Sequence, residues 1–115
     1  MTKQRESRIS GDIITELRKA GAFAFKIHGG PMMMVGLPDI IACVDGRFVA
    51  FETKTPEKRK NVSVAQERIH DLIRRAGGVA QVVCGPAEAL ACIAELRLNT
   101  PKHNHRTEPQ GDESE

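Results

Sequence analysis

Tryptophan and tyrosine are absent from this chain, and four phenylalanines are its only ringed hydrophobes. Binding that depends on stacking bases on an aromatic platform needs more rings than that. Long apolar runs are also lacking. None approaches the roughly 20 residues needed to cross a bilayer, so no membrane association is expected. The opening, MTKQRESRIS, holds no apolar segment, and a signal peptide is not expected. Cysteine is sparse. Cys43, Cys84 and Cys92 are odd in number, and their spacings match no zinc motif. Each sits in an apolar run, which predicts buried free thiols in a reducing cytoplasm.

What is present fits one small globular domain: 115 residues, of which 40% are apolar. The net charge of +2 is unevenly spread. The stretch Pro101–Glu115 carries two basic and four acidic residues, which leaves +4 on the rest. Much of that positive charge lies in Lys54, Lys58, Arg59 and Lys60. A cluster of this kind suits a phosphate backbone, although charge alone fits a solvated loop as well.

Ile9, Ile13, Leu17 and Ala20 recur at helical spacing, which predicts a helix over about 6–20 with Gly21 as its stop. Residues 22–28 (AFAFKIH) alternate loosely and predict a strand. HGGPMMMVGLP (28–38) is a loop by its Gly and Pro content. Its Met32–Met34 run suits packing over a neighbouring surface better than binding copper. Residues 39–44 and 47–53 predict two strands joined by Asp45-Gly46, a strong two-residue hairpin signal. TPEKRKNV (55–62) is a charged loop. Ser63 caps a helix over 64–76 with Gln66 in capping-box position, an apolar face of Ile69, Leu72, Ile73 and Ala76, and Gly77-Gly78 as the stop. VAQVVC (79–84) predicts a buried strand, and a last helix follows over about 87–98. A domain over 1–98 and a disordered polar tail over 99–115 are expected. The order predicts an α/β sandwich: a three-stranded antiparallel meander joined by a fourth strand through a helical crossover, in a mixed sheet.

With Asp45 and Gly46 as the turn, residues pair across the hairpin when their numbers add up to 91, as those two do. Asp39 then faces Glu52, with Cβ atoms about 4.5–5.5 Å apart, and Lys54 points to the same side. Both faces of the hairpin are otherwise apolar, which predicts a central element covered on both sides. Opposed carboxylates there are destabilising unless something offsets them. Mg²⁺ or Mn²⁺ would do so through carboxylate oxygens, and Lys54 would do so in part. The competing reading has Asp39 capping the strand start while Glu52 pairs with Lys54 at a frayed end.

Pro38-Asp39 followed by Glu52-Thr53-Lys54 resembles the signature of the PD-(D/E)XK nuclease superfamily. A wider set resembles the VRR-NUC family: His28-Gly29-Gly30-Pro31, Gly36 to Ile41, Gly46 to Lys54, Gln66, and Ala76-Gly77-Gly78. The short stand-alone members of phages and prophages are especially similar, over residues 6–97. The resemblance implies a restriction-endonuclease-like α-β-β-β-α-β core, a mixed four-stranded sheet flanked by helices. It further implies a structure-selective endonuclease that uses Mg²⁺ or Mn²⁺ on branched DNA such as Holliday junctions, often as a homodimer, in the cytoplasm of a bacterial host. The family carries an acidic residue at the start of its first helix, and Glu6 matches it; a first-turn Glu favoured by the helix dipole explains that residue equally well. Gln66 matches a helix-start glutamine near the active site, and its capping role competes with that. Leu37, Met32–Met34 and the Lys58–Lys60 loop depart from the usual pattern and bear on substrate preference.

The implied chemistry is phosphodiester hydrolysis. Asp39, Glu52 and the Thr53 carbonyl would hold the metal, with Glu6 completing the shell. Lys54 would orient or deprotonate the attacking water and steady developing charge. His28, Lys58, Arg59 and Lys60 would contact the nucleic acid. Two alternatives stand beside this: a non-catalytic DNA-binding module on the same fold, and a hydrolase of small phosphate esters. The latter is disfavoured because no phosphate-cradling Gly loop precedes a helix.

Overall fold

The protein is described by a computed structural model covering residues 2–99. The tail expected over 99–115 lies outside the described residues except for Asn99, which ends the last helix. The elements are α1 (Thr2–Lys19), β1 (Phe23–Lys26), β2 (Ile40–Val44), β3 (Arg47–Thr53), a short 3₁₀ turn (Pro56–Lys58), α2 (Val64–Arg75), β4 (Val79–Val83) and α3 (Pro86–Asn99). They form a mixed four-stranded sheet in the order β1-β2-β3-β4. The first two pairings are antiparallel, and β4 runs parallel to β3 after the α2 crossover.

The hairpin register follows from its turn. Asp45 and Gly46 have φ of 51° and 84°. Two successive positive φ values define the type I′ turn whose twist matches the strands it joins. Ile40 therefore pairs with Phe51, and Val44 with Arg47. One face of the sheet presents Ala24, Ile40, Ala42, Val44, Val49 and Phe51 to Ile13, Leu17 and Ile93 of α1 and α3, all buried in one core. Truncating Phe51, which is wholly buried, would cost about 3–5 kcal/mol.

Three expectations are corrected. α1 begins at Thr2, so Glu6 lies beyond the first turn, which holds no acidic residue, and the dipole explanation for it lapses. The hairpin strands are central, but only one face is fully covered. α2 packs toward β4, leaving Cys43 and Phe48 exposed, and Leu72 on α2 itself is half exposed. The cysteines are free but not buried: Cys43 is exposed, and Cys84 and Cys92 are partly so. In each case the apolar run lies on an open face or at an edge, which hydrophobicity alone does not reveal.

Candidate active site

The second strand starts, and the third ends, at the same edge of the sheet. Asp39 immediately precedes β2, and its carbonyl accepts from Ile27 N–H at 2.8 Å. Its carboxylate Oδ1 accepts from Thr53 N–H at 2.9 Å. That bond fixes the acid across the hairpin from Glu52, which is buried. Lys54 follows Thr53, and its N–H donates to Val83 O at 3.0 Å, tying this end of β3 to β4. The Lys54 ammonium lies 3.8 Å from Glu52 Oε2, with both side chains largely buried.

Gln66 reaches the same carboxylate from α2. Its Nε2 donates to Glu52 Oε2 at 3.0 Å. Its Oε1 accepts from Ser63 N–H at 3.0 Å, while its own N–H donates to Ser63 Oγ at 3.1 Å. The cap and the contact with Glu52 are therefore one arrangement: the cap occupies the amide oxygen and so turns the amide nitrogen toward Glu52.

The electrostatics are those of an acidic pair that its lysines compensate only in part. Burial, and next the neighbouring Asp39 charge, push Glu52 from 4.5 up to about 7; Lys54 opposes the rise and Glu6 adds to it. Burial also holds Asp39 above its ordinary range, against the Thr53 N–H and Lys26. A carboxyl near 7 beside a second acid is the environment that active sites build and ordinary cores avoid. Both acids and Gln66 line a cleft of about 330 Å³ roofed by Gly29, Gly30, Met34 and Gly36.

The remaining expected residues are more dispersed. Glu6 acts on Glu52 through its charge, yet among the described residues no group of three or more His, Cys, Asp or Glu side chains is close enough to hold a metal ion. Thr53, whose carbonyl is the expected ligand, is buried. His28 is exposed on the loop after β1 and does not line the cleft. Lys58 and Lys60 are exposed, and Arg59 is bound to Glu88.

A family model described as archaeal Holliday junction resolvase (Hjc) matches residues 1–109. The chain belongs to the Hjc family. That makes it a structure-selective nuclease of the junction-resolving kind. A solved VRR_NUC domain shares its fold, with a TM-score of 0.60 over 78% of this chain and 95% of that one, at 22% identity. The structure of Hjc from Archaeoglobus fulgidus, a Holliday junction resolvase, is 23% identical, with a TM-score of 0.48 over 69% of this chain and 67% of that one. No curated protein matches.

A lysine and a buried imidazole near Asp39 and Glu52 escape sequence reasoning. Lys26, at the end of β1, lowers Asp39 through its charge. Its ammonium donates to Ser10 Oγ at 2.9 Å on wholly buried Ser10 of α1. The meander register pairs Lys26 with Ile40, the residue after Asp39, so pairing alone would not have set this lysine against the acid. His70 lies one helical turn beyond Gln66 and is buried, with no hydrogen-bond partner for Nε2 among the described residues. Burial, followed by Arg74, holds its imidazole below the ordinary range, and Lys54 adds to the effect. Nothing in the sequence marks it out.

Proposed function

We propose that this chain resolves Holliday junctions by divalent-cation-dependent hydrolysis of phosphodiester bonds at the site formed by Asp39, Glu52, Lys54 and Gln66. The observation that carries the reading is the desolvated pair of facing carboxylates, with Glu52 pushed up to about 7. Two adjacent buried acids cannot both ionise cheaply without added positive charge. Their oxygen donors and proximity therefore fit a hard dication, Mg²⁺ or Mn²⁺. Asp39, Glu52 and the Thr53 carbonyl would hold it, and Glu6, whose charge reaches Glu52, would contribute through water. Bound there, a dication supplies Lewis acidity toward the phosphate and a nearby water.

The side chains have distinct tasks. The Thr53 N–H holds Asp39, and the Gln66 amide holds Glu52, so neither acid must reorganise when substrate arrives. The Lys54 ammonium stands at the same carboxylate, where it can hold the attacking water and donate to the charge that develops on the phosphoryl oxygens. Water adds to phosphorus and one P–O ester bond breaks. The Gly29-Gly30 backbone at the cleft wall leaves space for the sugar-phosphate chain. His28, Lys58 and Lys60 supply phosphate contacts beyond it, Arg59 less so because Glu88 already holds it.

One such site cuts one strand, so paired cuts at a junction call for two copies, and a two-fold homodimer supplies them. A phage or prophage setting in a bacterial cytoplasm goes with this reading, on the resemblance to the phage and prophage members of the VRR-NUC family. The decisive experiment is cleavage of a synthetic four-way junction and of its matching linear duplex, in Mg²⁺, in Mn²⁺ and in EDTA. Junction cleavage that needs the dication and is lost in Asp39→Ala supports the proposal. Binding without any cleavage would leave a DNA-binding module instead.

A further inference from the structure

The loop between β1 and β2 exposes more apolar surface than folding explains. Its two ends are pinned together, because Ile27 N–H donates to the Asp39 carbonyl. Near its base, Gly36 lies so close to the Ala65 carbonyl in the first turn of α2 that a Cβ would not fit. The next residue of that turn, Gln66, holds Glu52. At the tip, Met33 N–H donates to the Gly30 carbonyl at 3.0 Å and closes a turn over Gly30–Met33. Pro31 takes the second position of that turn, which its fixed φ suits. Met32 takes the third and is left 95% exposed. The loop is a braced arm with an apolar thioether at its end.

Gly30 and Met33, on either side of the tip, line the cleft that holds Asp39 and Glu52, whereas Met32 does not. Met32 therefore stands at the rim. A phosphodiester that reaches the two acids must bring its flanking nucleotides against this rim, and a protein partner seated there would obstruct the way in. No residue from Gly29 to Pro38 is charged, so the arm gains nothing from a phosphate backbone by counterion release. What DNA offers an uncharged, unbranched, polarisable side chain is the face of a base. Methionine is among the residues that wedge between base steps. Such insertion costs the stacking of the step it opens, and it costs least where stacking is already interrupted. A branch point is such a place; a continuous duplex is not.

We propose that Met32 is a specificity-determining wedge. It inserts against the bases at the branch point while an adjoining phosphate occupies the Asp39–Glu52 cleft. A linear duplex is disfavoured because it must first be unstacked. The proposal deepens the junction-resolving reading and rests on it for the substrate; the wedge itself is argued from the turn, the exposure of its corner and the uncharged arm that carries it.

The test uses the full chain and a four-way junction carrying 2-aminopurine beside the branch point, in Ca²⁺ so that binding is read without cleavage. Saturating wild type should raise the fluorescence of that base several-fold through unstacking, and should leave the same base in a linear duplex near its starting value. Met32→Ser should remove most of the rise and weaken junction binding about tenfold, the effect of losing one partly buried methionine side chain. Duplex binding and the salt dependence should not change. Met32→Leu should restore both the rise and the affinity. Because Met32 is so exposed, all three chains should melt and sediment alike. No rise with saturating wild type overturns the proposal, and so does a rise that survives Met32→Ser. A change of sedimentation in Met32→Ser also overturns it, because the tip would then pack on protein. Equal losses of junction and duplex binding count against it in the same way. Cleavage in Mg²⁺ is read separately. Junction cutting without the fluorescence rise sinks the wedge and spares the nuclease, while a rise that depends on Met32 in a chain that cuts nothing does the reverse.

Discussion

The raised Glu52 makes a signed prediction about stability without metal. Its carboxyl moves from 4.5 in the unfolded chain to about 7 in the folded one. The folded state therefore binds the proton more tightly. This group costs nothing below pH 4.5, its cost grows as pH rises from 4.5 to 7, and the full cost is present above 7. At ~1.4 kcal/mol per unit the shift corresponds to about 3 kcal/mol, reduced to about 2 by water at the cleft mouth. Glu52→Gln removes the titration and keeps an oxygen to accept from Gln66 Nε2. It also loses the Lys54 contact at 3.8 Å, worth up to about 1 kcal/mol. In EDTA at pH 8 the variant should be more stable than wild type by about 1–2 kcal/mol, a rise in melting temperature of several degrees for a domain of this size. The advantage should shrink through pH 6 and vanish near pH 4.5. Mg²⁺ should then stabilise wild type and leave the variant unmoved. Urea denaturation of both chains at three pH values, with EDTA and with Mg²⁺, provides the measurement. A wild type that gains on the variant as pH rises from 5 to 8 in EDTA would refute the idea that Glu52 is an acid its surroundings leave under-compensated.

Lys54→Ala should lower junction cleavage in Mg²⁺ far more than junction binding in Ca²⁺, because its role lies in the transition state; equal losses would reduce it to a phosphate contact. Gly36→Ala should destabilise by about 1–3 kcal/mol, because Gly36 has φ of 92° and an added Cβ would sit 2.4 Å from Ala65 O. Cleavage should fall with it, since the displaced turn leads into Gln66; an unchanged melting temperature would contradict the loop packing. Gln66→Ala should cost about 1 kcal/mol through the lost cap and also weaken Mg²⁺ binding measured by calorimetry. Gln66→Glu keeps the capping acceptor but has no amide N–H to give Glu52, so it should recover stability more than metal affinity; full recovery of both would deny the amide its positioning role. Truncation after Asn99 should leave folding and cleavage nearly unchanged, and a large drop in melting temperature would show that the tail packs on the domain.

Local chemistry determined a good deal in advance. Asp45-Gly46 accepts the two positive φ values of a type I′ turn. That choice sets the pairing of the whole hairpin and hence places Asp39 opposite Glu52. Ser63 and Gln66 announce the start of α2 because the groups they satisfy lie within the same turn. Element order and the parallel fourth strand follow from periodicity and from the crossover that separates it. These are interactions between residues close in the chain, or between strands whose register one short turn controls.

Contacts between distant segments decided the rest. Phe23 and Phe25 alternate with Ala22 and Ala24, and a period of two does not say which set faces the core; packing against α1 buries the alanines and leaves the rings outside. Cys43 lies in an apolar strand yet is exposed, because α2 covers the sheet only toward β4. Lys26 bears on Asp39 only once β1 lies beside β2. The charge state of Glu52 depends on burial, on Asp39 across the hairpin and on Glu6 from α1. Asp39 and Glu52 can be named as an opposed pair from the sequence, but desolvation, the effect that raises Glu52 most, is a property of the assembled volume around the side chain and belongs to no single segment.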